Sequence, residues 1–186
     1  VSDIDEADKP KIEAHLKEYK MNNWEHSGLR LSASACVAFP TCGLAMAESE
    51  RYIFRLVDKV ERIYLASGLK HDEITLRMTG CPNGCARPWI GEIAFVGKAP
   101  GTYVMLLGGG HNGERLNKVF RESVGEKEIL EILEVLIPRY AKERLEGERF
   151  GDWVIRAGII AETTHGAAFW DNVDADKPLS AIAQSA

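Results

Sequence analysis

The sequence predicts an α+β fold, because helical and strand patterns mix along it without a strict strand–helix alternation. Two long segments, residues 44–66 and 127–146, repeat apolar residues at the period of a helix. Three short segments, residues 73–79, 92–96 and 102–107, have the alternation and composition of strands. With 186 residues, 45% of them hydrophobic and 27% charged, the chain fits one globular domain with tails.

The N-terminal part of the chain is predicted to hold one helix and one short strand. Residues 1–9 form an acidic segment that we expect to be flexible. Pro10 suits the first turn of a helix over residues 11–19. Residues 20–33 are expected to form a loop, and residues 35–39 a short strand that leads into the first cysteine pair.

The first long helix, predicted over residues 44–66, has one apolar stripe that we expect to pack in the core. Gly68 would end this helix, as glycine often does at a helix C-terminus. Cys42 would then lie just before the helix N-terminus, where the helix dipole favours a thiolate.

Two turns are predicted around the later strands. The strands at 92–96 and 102–107 are joined by the turn K-A-P-G, residues 98–101. The glycine run at 108–110 is typical of a turn, although such a run can also form an anion-binding nest. The sequence alone leaves both interpretations open.

The C-terminal part is predicted to be mainly helical. The second long helix, over residues 127–146, contains Pro138, which we expect to kink it. A short element over residues 152–157 follows. The polar tail, residues 172–186, is expected to be flexible.

Charge and hydropathy argue against two classes of partner. The net charge of −5 argues against a nucleic-acid partner, which favours a basic surface. No run of about 18 apolar residues is present, so the sequence predicts no membrane-spanning helix and no membrane partner. A start without a signal peptide, together with cysteines suited to a reducing compartment, favours the cytoplasm.

Four cysteines carry most of the chemical information. Cys36 and Cys42 form a C-x5-C pair, and Cys81 and Cys85 form a C-x3-C pair 38 residues later. Four thiolates in two tight pairs, each flanked by glycine, proline and small residues, are typical of an iron–sulfur cluster. Disulfides, structural zinc and buried free cysteines are the alternatives, and neither spacing is usual for zinc.

The second pair lies in a segment that must bend sharply. Pro82 fixes its own φ and lacks an N–H group, while Gly80 and Gly84 allow torsions or close backbone approaches that a Cβ would block. Asn83 suits a turn, because its side chain can bond its own backbone. The amides of such a turn can donate to cluster sulfides and so help to set the reduction potential.

Five segments, among them A-C-V-A-F-P-T-C-G and R-M-T-G-C-P-N-G-C-A-R-P, form a recognisable set. They resemble the C-terminal part of the assimilatory sulfite reductase haemoproteins, which belong to the sulfite and nitrite reductase superfamily. The resemblance runs over residues 10–171 and implies a sirohaem- and 4Fe-4S-binding domain with a mixed β-sheet flanked by helices. The segments span residues 35–51, 77–88, 96–101, 107–109 and 150–158.

The resemblance implies roles for individual residues. All four cysteines, Cys36, Cys42, Cys81 and Cys85, would ligate the 4Fe-4S cluster. Cys85 would also bridge to the sirohaem iron, which makes it the catalytic residue of this part of the enzyme. Asn83 and Arg87 are the expected contacts to the sirohaem, because the adjacent thiolate must touch the macrocycle.

The resemblance also implies a reaction and its partners. The family reduces sulfite to sulfide with six electrons, which come from a flavoprotein subunit or from ferredoxin. The basic residues that hold the anion belong to the N-terminal half of the same enzyme, which is not in this chain, so we expect the chain to be inactive alone. A nitrite reductase fragment and a non-catalytic metal-binding domain are the alternatives.

Overall fold

The computed structural model describes residues 2–23 and 25–171. None of the described helices is both long and apolar enough to cross a membrane. Short 3₁₀ turns lie at Glu6–Asp8, Pro88–Ile90 and Gly166–Trp170. The helices and strands, in chain order, are α1 (Lys9–Glu18), α2 (Gly28–Ser32), β1 (Ser34–Ala35), α3 (Glu50–Ala66), β2 (Leu76–Thr79), β3 (Ile93–Ala99), β4 (Thr102–Leu107), β5 (Lys118–Val124), α4 (Glu126–Glu143) and α5 (Phe150–Arg156).

The strands in the described residues form one mixed sheet in the order β1-β2-β3-β4-β5. The first three strands pair in parallel, with Met78 opposite Phe95, and the last three pair antiparallel, with Phe95 opposite Met105. The predicted α+β fold with a mixed sheet flanked by helices is therefore confirmed. Its parallel half lies nearest to the cysteines, as described below.

One face of the sheet carries the main core. Apolar side chains of α3 and α4 pack there on those of β2, β3 and β4. The predicted core stripe is thereby confirmed for the part that lies in α3, whereas Leu44, at the predicted start of the helix, is exposed. Between α4 and α5, the rings of Tyr140, Phe150 and Trp153 contact one another, with 5.4–5.6 Å between their centroids. Each such buried ring contributes about 1.5–3 kcal/mol through its apolar area.

The other face of the sheet is only partly covered. Its apolar patch comes from β3, β4 and β5, and the last 3₁₀ turn places Phe169 edge-on to Trp89, with 5.5 Å between the rings. An apolar groove of about 490 Å³ remains open beside this contact. Met46 and Pro82 line one part of the groove, so it borders the cysteine loops.

Helix α3 begins at Glu50, six residues later than the predicted start at residue 44. The intervening segment bonds elsewhere: the amides of Met46 and Ala47 both donate to the carbonyl of Gly80, at 2.7 and 3.0 Å. Cys42 therefore lies eight residues before the helix. The expectation that the helix dipole acts on its thiol is wrong.

Two elements were not predicted, and two predicted strands are shorter; one of these is β2, which begins at Leu76 instead of residue 73. Helix α2 lies in the expected loop 20–33, and Ser27 caps it by accepting from the amide of Arg30 at 3.2 Å. Strand β5 has buried Lys118 and Arg121 among its apolar residues, which hides the alternation of a strand. Strand β1 ends at Ala35 rather than residue 39, because Ala38 has a positive φ of 46° and turns the chain.

Near the C-terminus, α4 ends at Glu143 instead of residue 146. It contains Pro138, and the kink expected there stays a prediction. The short element predicted over 152–157 is helix α5. The predicted flexible tail, 172–186, lies outside the described residues, and the flexibility of the acidic segment 1–9 stays a prediction.

An ion-pair cluster joins α2 to α3. Arg30 donates to Glu61 at 2.7 Å and to Asp58 at 2.6 Å, and the hydroxyl of Ser27 donates to Glu61 as well. The hydrogen bond from Arg30 is the main reason that the pKa of Glu61 lies below its usual value, with a smaller contribution from Ser27. The ionised form of Glu61 is therefore favoured in the folded chain.

Glu61→Gln is expected to destabilise the fold at neutral pH by roughly 1–2 kcal/mol, since it removes charge-assisted hydrogen bonds. A carboxyl whose pKa is lowered by folding contributes stability above its unfolded pKa of about 4.3, and this contribution is lost as pH falls. The gap between variant and wild type should thus shrink below about pH 4. Urea unfolding at pH 7 and pH 3.5 measures this difference in unfolding free energy, and Glu13→Gln, at an exposed position, is the control. A difference that stays constant between the two pH values would contradict the prediction.

Candidate metal centre

All four cysteines line a single cavity of about 260 Å³. Parallel pairing of β1 with β2 brings the two pairs together, because Cys36 directly follows β1 and Cys81 lies two residues after β2. The carboxyl ends of adjacent parallel strands meet at the same edge of a sheet, where ligands commonly bind. The structure thus joins two motifs that are 38 residues apart in sequence.

The first cysteine loop is held by backbone hydrogen bonds within the loop and to β2 and α3. Cys36 donates through its amide to the carbonyl of Met78 at 3.2 Å and accepts from the amide of Glu50 at 3.1 Å. Cys42 donates to the carbonyl of Ala38 at 2.7 Å. These bonds fix the backbone at Cys36 and at Cys42, and so they help to place both thiols.

Gly80 connects the two cysteine loops. Its amide donates to Sγ of Cys36 at 3.2 Å, and its carbonyl accepts from the amides of Met46 and Ala47. A Cβ on Gly80 would lie only 2.6 Å from the Cβ of Ala38, so this close approach requires glycine. An amide that donates to a sulfur stabilises the thiolate, and it influences the potential of any metal bound there.

The second cysteine pair lies in a tight turn. The hydroxyl of Thr79 donates to the carbonyl of Cys81 at 2.6 Å, and the amide of Arg87 donates to the carbonyl of Gly84 at 2.8 Å. Gly84 has a φ of +69°, and a Cβ there would lie 2.8 Å from the indole nitrogen of Trp89. Trp89 therefore packs directly beneath the turn that carries the cysteines.

The thiols differ in exposure. Cys81 is only 8% exposed, Cys36 and Cys42 are half-buried, and Cys85 is exposed. Cys85 is therefore the thiol most accessible to a second group outside the cavity. Exposed apolar side chains surround the cysteine loops: Val37, Phe39, Leu44 and Met46.

The two other predicted site residues lie at different distances from the cavity. Asn83 is exposed and lines the cavity beside Cys81 and Cys85. Arg87 is exposed, has a left-handed backbone with a φ of 52°, and is not among the lining residues. The structure thus brings Asn83, but not Arg87, to the cysteines.

The donor set fits a cluster better than a single ion. Among residues 2–23 and 25–171, no three His, Cys, Asp or Glu side chains are arranged to hold one metal ion. Tetrahedral zinc, with Zn–S distances of about 2.3 Å, needs sulfurs that converge on one point. A 4Fe-4S cluster instead takes one thiolate at each of four irons, so its sulfurs surround a cage. All four cysteines are free thiols, which also disfavours the disulfide alternative.

The glycine run at 108–110 is a packed turn. The amide of Gly108 donates to the carbonyl of Glu92, and that of Gly110 donates to the carbonyl of Arg115. A Cβ on Gly109 would lie 2.3 Å from the carbonyl oxygen of Gly91. The amides of Gly108 and Gly110 are already used, so the structure supports the turn interpretation over the anion-binding nest.

Three residues that support the cysteines were not predicted from the sequence. Thr79 and Trp89 hold the second turn, and Gly97 of β3 packs against Gly80, whose carbonyl oxygen lies 2.3 Å from an ideal Cβ there. Glycine inside a strand often marks a close backbone approach, so the role of Gly97 could have been predicted from the sequence. Nothing in the local sequence distinguishes Thr79 from an ordinary strand threonine.

Comparison with known proteins identifies relatives of this arrangement. Residues 29–161 match the family model described as the nitrite and sulphite reductase 4Fe-4S domain. The NADPH sulfite reductase subunit beta of Schizosaccharomyces pombe is 63% identical over 157 residues, which are 84% of this chain and 11% of that protein. The NADPH sulfite reductase hemoprotein beta-component of Bacillus licheniformis is 55% identical over 172 residues, which are 92% of this chain and 30% of that protein.

A solved structure agrees with these sequence relatives. The NirA protein of Mycobacterium tuberculosis superposes with a TM-score of 0.65 at 29% identity, over 83% of this chain and 30% of that one. Dissimilatory sulfite reductase I, at 11% identity and a TM-score of 0.56, shares the fold. The chain spans less than a third of the length of the curated relatives described above.

These findings confirm the resemblance found in the sequence. The family model is named for its 4Fe-4S domain, which supports the predicted cluster, and the Bacillus relative is named as a hemoprotein. The matched region contains all four cysteines and every strand of the sheet. The chain belongs to the nitrite and sulphite reductase 4Fe-4S domain family.

Proposed function

We propose that this chain is the cluster-bearing part of a sulfite reductase, the enzyme that reduces sulfite to sulfide with six electrons. The observation that carries this proposal is the meeting of four thiols at one cavity, with the exposed Cys85 among them. Relatives at 55–63% identity are named sulfite reductases, which favours sulfite as the substrate.

In this function the residues have distinct tasks. Cys36, Cys42 and Cys81 would hold the cluster in the cavity, and Cys85 would be its fourth ligand and would also bind the sirohaem iron. When bound, the cluster stores and passes single electrons, and the sirohaem supplies the iron at which sulfite is reduced. Apolar side chains around the loops, such as Leu44 and Met46, exclude water from the joined cofactors.

Asn83 and Arg87 are proposed to bind the carboxylates of the sirohaem. Both side chains are exposed on the same turn as Cys85, so they can reach a macrocycle attached to that thiolate. An arginine can pair with a carboxylate through two parallel hydrogen bonds. Asn83 has the stronger structural support, because it lines the cavity itself.

The proposed enzyme needs further protein. Most of the length of the curated relatives lies outside the region matched here, and the N-terminal half of the enzyme would supply the basic residues that hold the anion. Relatives named for NADPH favour a flavoprotein subunit as electron donor over ferredoxin. Free thiols that must stay reduced suit a cytoplasmic enzyme.

Anaerobic reconstitution with iron and sulfide tests the metal centre. We expect about four iron and four sulfide atoms per chain, and a broad absorption band at about 400 nm, because four thiolates match one cubane cluster. Colorimetric iron and acid-labile sulfide analysis measures both. A colourless chain that binds one zinc instead would favour the alternative of a non-catalytic metal-binding domain.

A sulfite reduction assay on the reconstituted chain tests the proposed division of the enzyme. With sirohaem supplied in the reconstitution and reduced methyl viologen as donor, we expect no turnover above the protein-free rate, because the residues proposed to hold the anion lie outside this chain. Normal turnover by this chain alone would contradict the proposal.

Nitrite is the second candidate substrate. It is supported by the family description, which names nitrite beside sulphite. Comparing kcat/KM for sulfite and nitrite in the enzyme that contains this chain distinguishes the two. A ratio in favour of nitrite would overturn the assignment to sulfite.

A further inference from the structure

Thr79, the last residue of β2, is fully buried and lines the cavity of the four cysteines. Its hydroxyl donates to the carbonyl of Cys81 at 2.6 Å, and the amide of Gly84 donates to the same carbonyl at 3.4 Å. A carbonyl oxygen has two lone pairs, so these donors occupy both. Together they fix the direction of the peptide that joins Cys81 to Pro82.

The segment fixed by Thr79 also joins the two cysteine loops. Gly80 lies between Thr79 and Cys81, donates to Sγ of Cys36 at 3.2 Å and accepts from the amides of the first loop. A rotation of the Cys81 peptide would therefore disturb a thiol of each pair. The short hydrogen bond of Thr79 is the side-chain contact that opposes such a rotation.

We propose that Thr79 is a positioning residue of the metal centre. Its hydroxyl holds the Cys81 carbonyl, so that the Cys81 thiolate and the Gly80 amide stay directed at the cluster. This inference rests on the proposed function and deepens it, since Thr79 itself gives no ligand atom. Sequence motifs of the cysteines do not reveal the role, because it depends on a contact between residue 79 and a backbone oxygen.

The role predicts an effect on both cluster lifetime and reduction potential. Valine has nearly the shape of threonine but no hydroxyl, so Thr79→Val leaves the Cys81 carbonyl with only the long bond from Gly84. A carbonyl free to turn its negative end toward the cluster disfavours an added electron, so the potential should become more negative. The loss of one buried hydrogen bond should speed cluster loss about tenfold.

The experiment uses the reconstituted 186-residue chain and three variants: Thr79→Val, Thr79→Ser and Thr163→Val. Thr163 is the matched control, because its hydroxyl also donates to a backbone carbonyl, that of Asn117 at 3.1 Å. Decay of cluster absorbance in an iron chelator gives the lifetime, and spectroscopic redox titration gives the potential. In Thr79→Val we expect a shorter cluster lifetime and a more negative potential. Thr79→Ser should return both values toward wild type, and Thr163→Val should leave them unchanged.

A second measurement works without metal. In the metal-free chain, alkylation of each thiol is followed by mass spectrometry, and we expect Cys81 in Thr79→Val to react about tenfold faster relative to Cys85 than in wild type. If the wild-type chain takes up no cluster, the proposed function fails, and this arm alone decides the role of Thr79. The inference is overturned if Thr79→Val behaves like wild type, or if Thr79→Ser does not restore the wild-type values. It is also overturned if Thr163→Val changes them as much as Thr79→Val does.

Discussion

Cys81→Ser is expected to abolish cluster binding, lowering iron from about four atoms per chain to almost none. Cys81 is the most buried of the four thiols, at 8% exposure, and its loop is bonded to that of Cys36 through Gly80. A serine hydroxyl is a poor ligand for iron in this setting, and the chain has no fifth cysteine to replace Cys81. Iron and sulfide analysis after anaerobic reconstitution measures the effect.

The remaining cysteines give a graded test of the same site. Cys36→Ser and Cys42→Ser should also lose the cluster, while Cys85→Ser should in addition prevent the link to sirohaem. Val37→Ala is the matched control, because Val37 lines the same cavity without a donor atom and is 45% exposed. Full cluster content in all four serine variants would refute the assignment of the metal centre.

Gly97→Ala is expected to cost about 1–3 kcal/mol of folding free energy through overpacking. A Cβ at Gly97 would lie 2.3 Å from the carbonyl oxygen of Gly80 and 2.8 Å from the Cβ of Ala47. Both neighbours are tightly held, since Gly80 bonds both cysteine loops and Ala47 is fully buried. Urea unfolding of the metal-free chain gives the free energy directly.

The substitution should also weaken cluster retention, because the displaced backbone of Gly80 is the one that donates to Cys36. Gly43→Ala is the control within the same loop region, as a Cβ there meets no atom within 4 Å. Equal unfolding midpoints for Gly97→Ala and Gly43→Ala would show that β3 does not press on the cysteine junction as described.

The long helices could be predicted because their periodicity is local, but the start of α3 could not. The residues before Glu50 include Leu44 and Ala47, which continue a helical pattern, yet their segment bonds to the distant carbonyl of Gly80. Strand β5 escaped prediction for a related reason. Lys118 and Arg121 are buried in β5 because of tertiary packing. The pattern of polar and apolar residues within one segment does not predict such burial.

The candidate metal centre could be predicted as a set of proposed ligands but not as a geometry. Cysteine spacing and flanking glycines identified Cys36, Cys42, Cys81 and Cys85 as candidates, and the family resemblance named the cofactors. Their convergence depends on the parallel pairing of β1 with β2, a contact across more than forty residues. The supporting hydroxyl of Thr79 has no sequence signature, because its partner is a backbone oxygen.

The change from parallel to antiparallel pairing at β3 divides the sheet into two regions with different freedom to evolve. Strands β1 and β2 end next to Cys36 and Cys81, so an insertion in either would shift a proposed cluster ligand. The hairpins of β4 and β5 lie farther along the sheet and carry none of the ligands. Homologues can therefore be expected to lengthen and diversify the hairpin side, where contacts to a proposed electron donor could arise without moving the four cysteines.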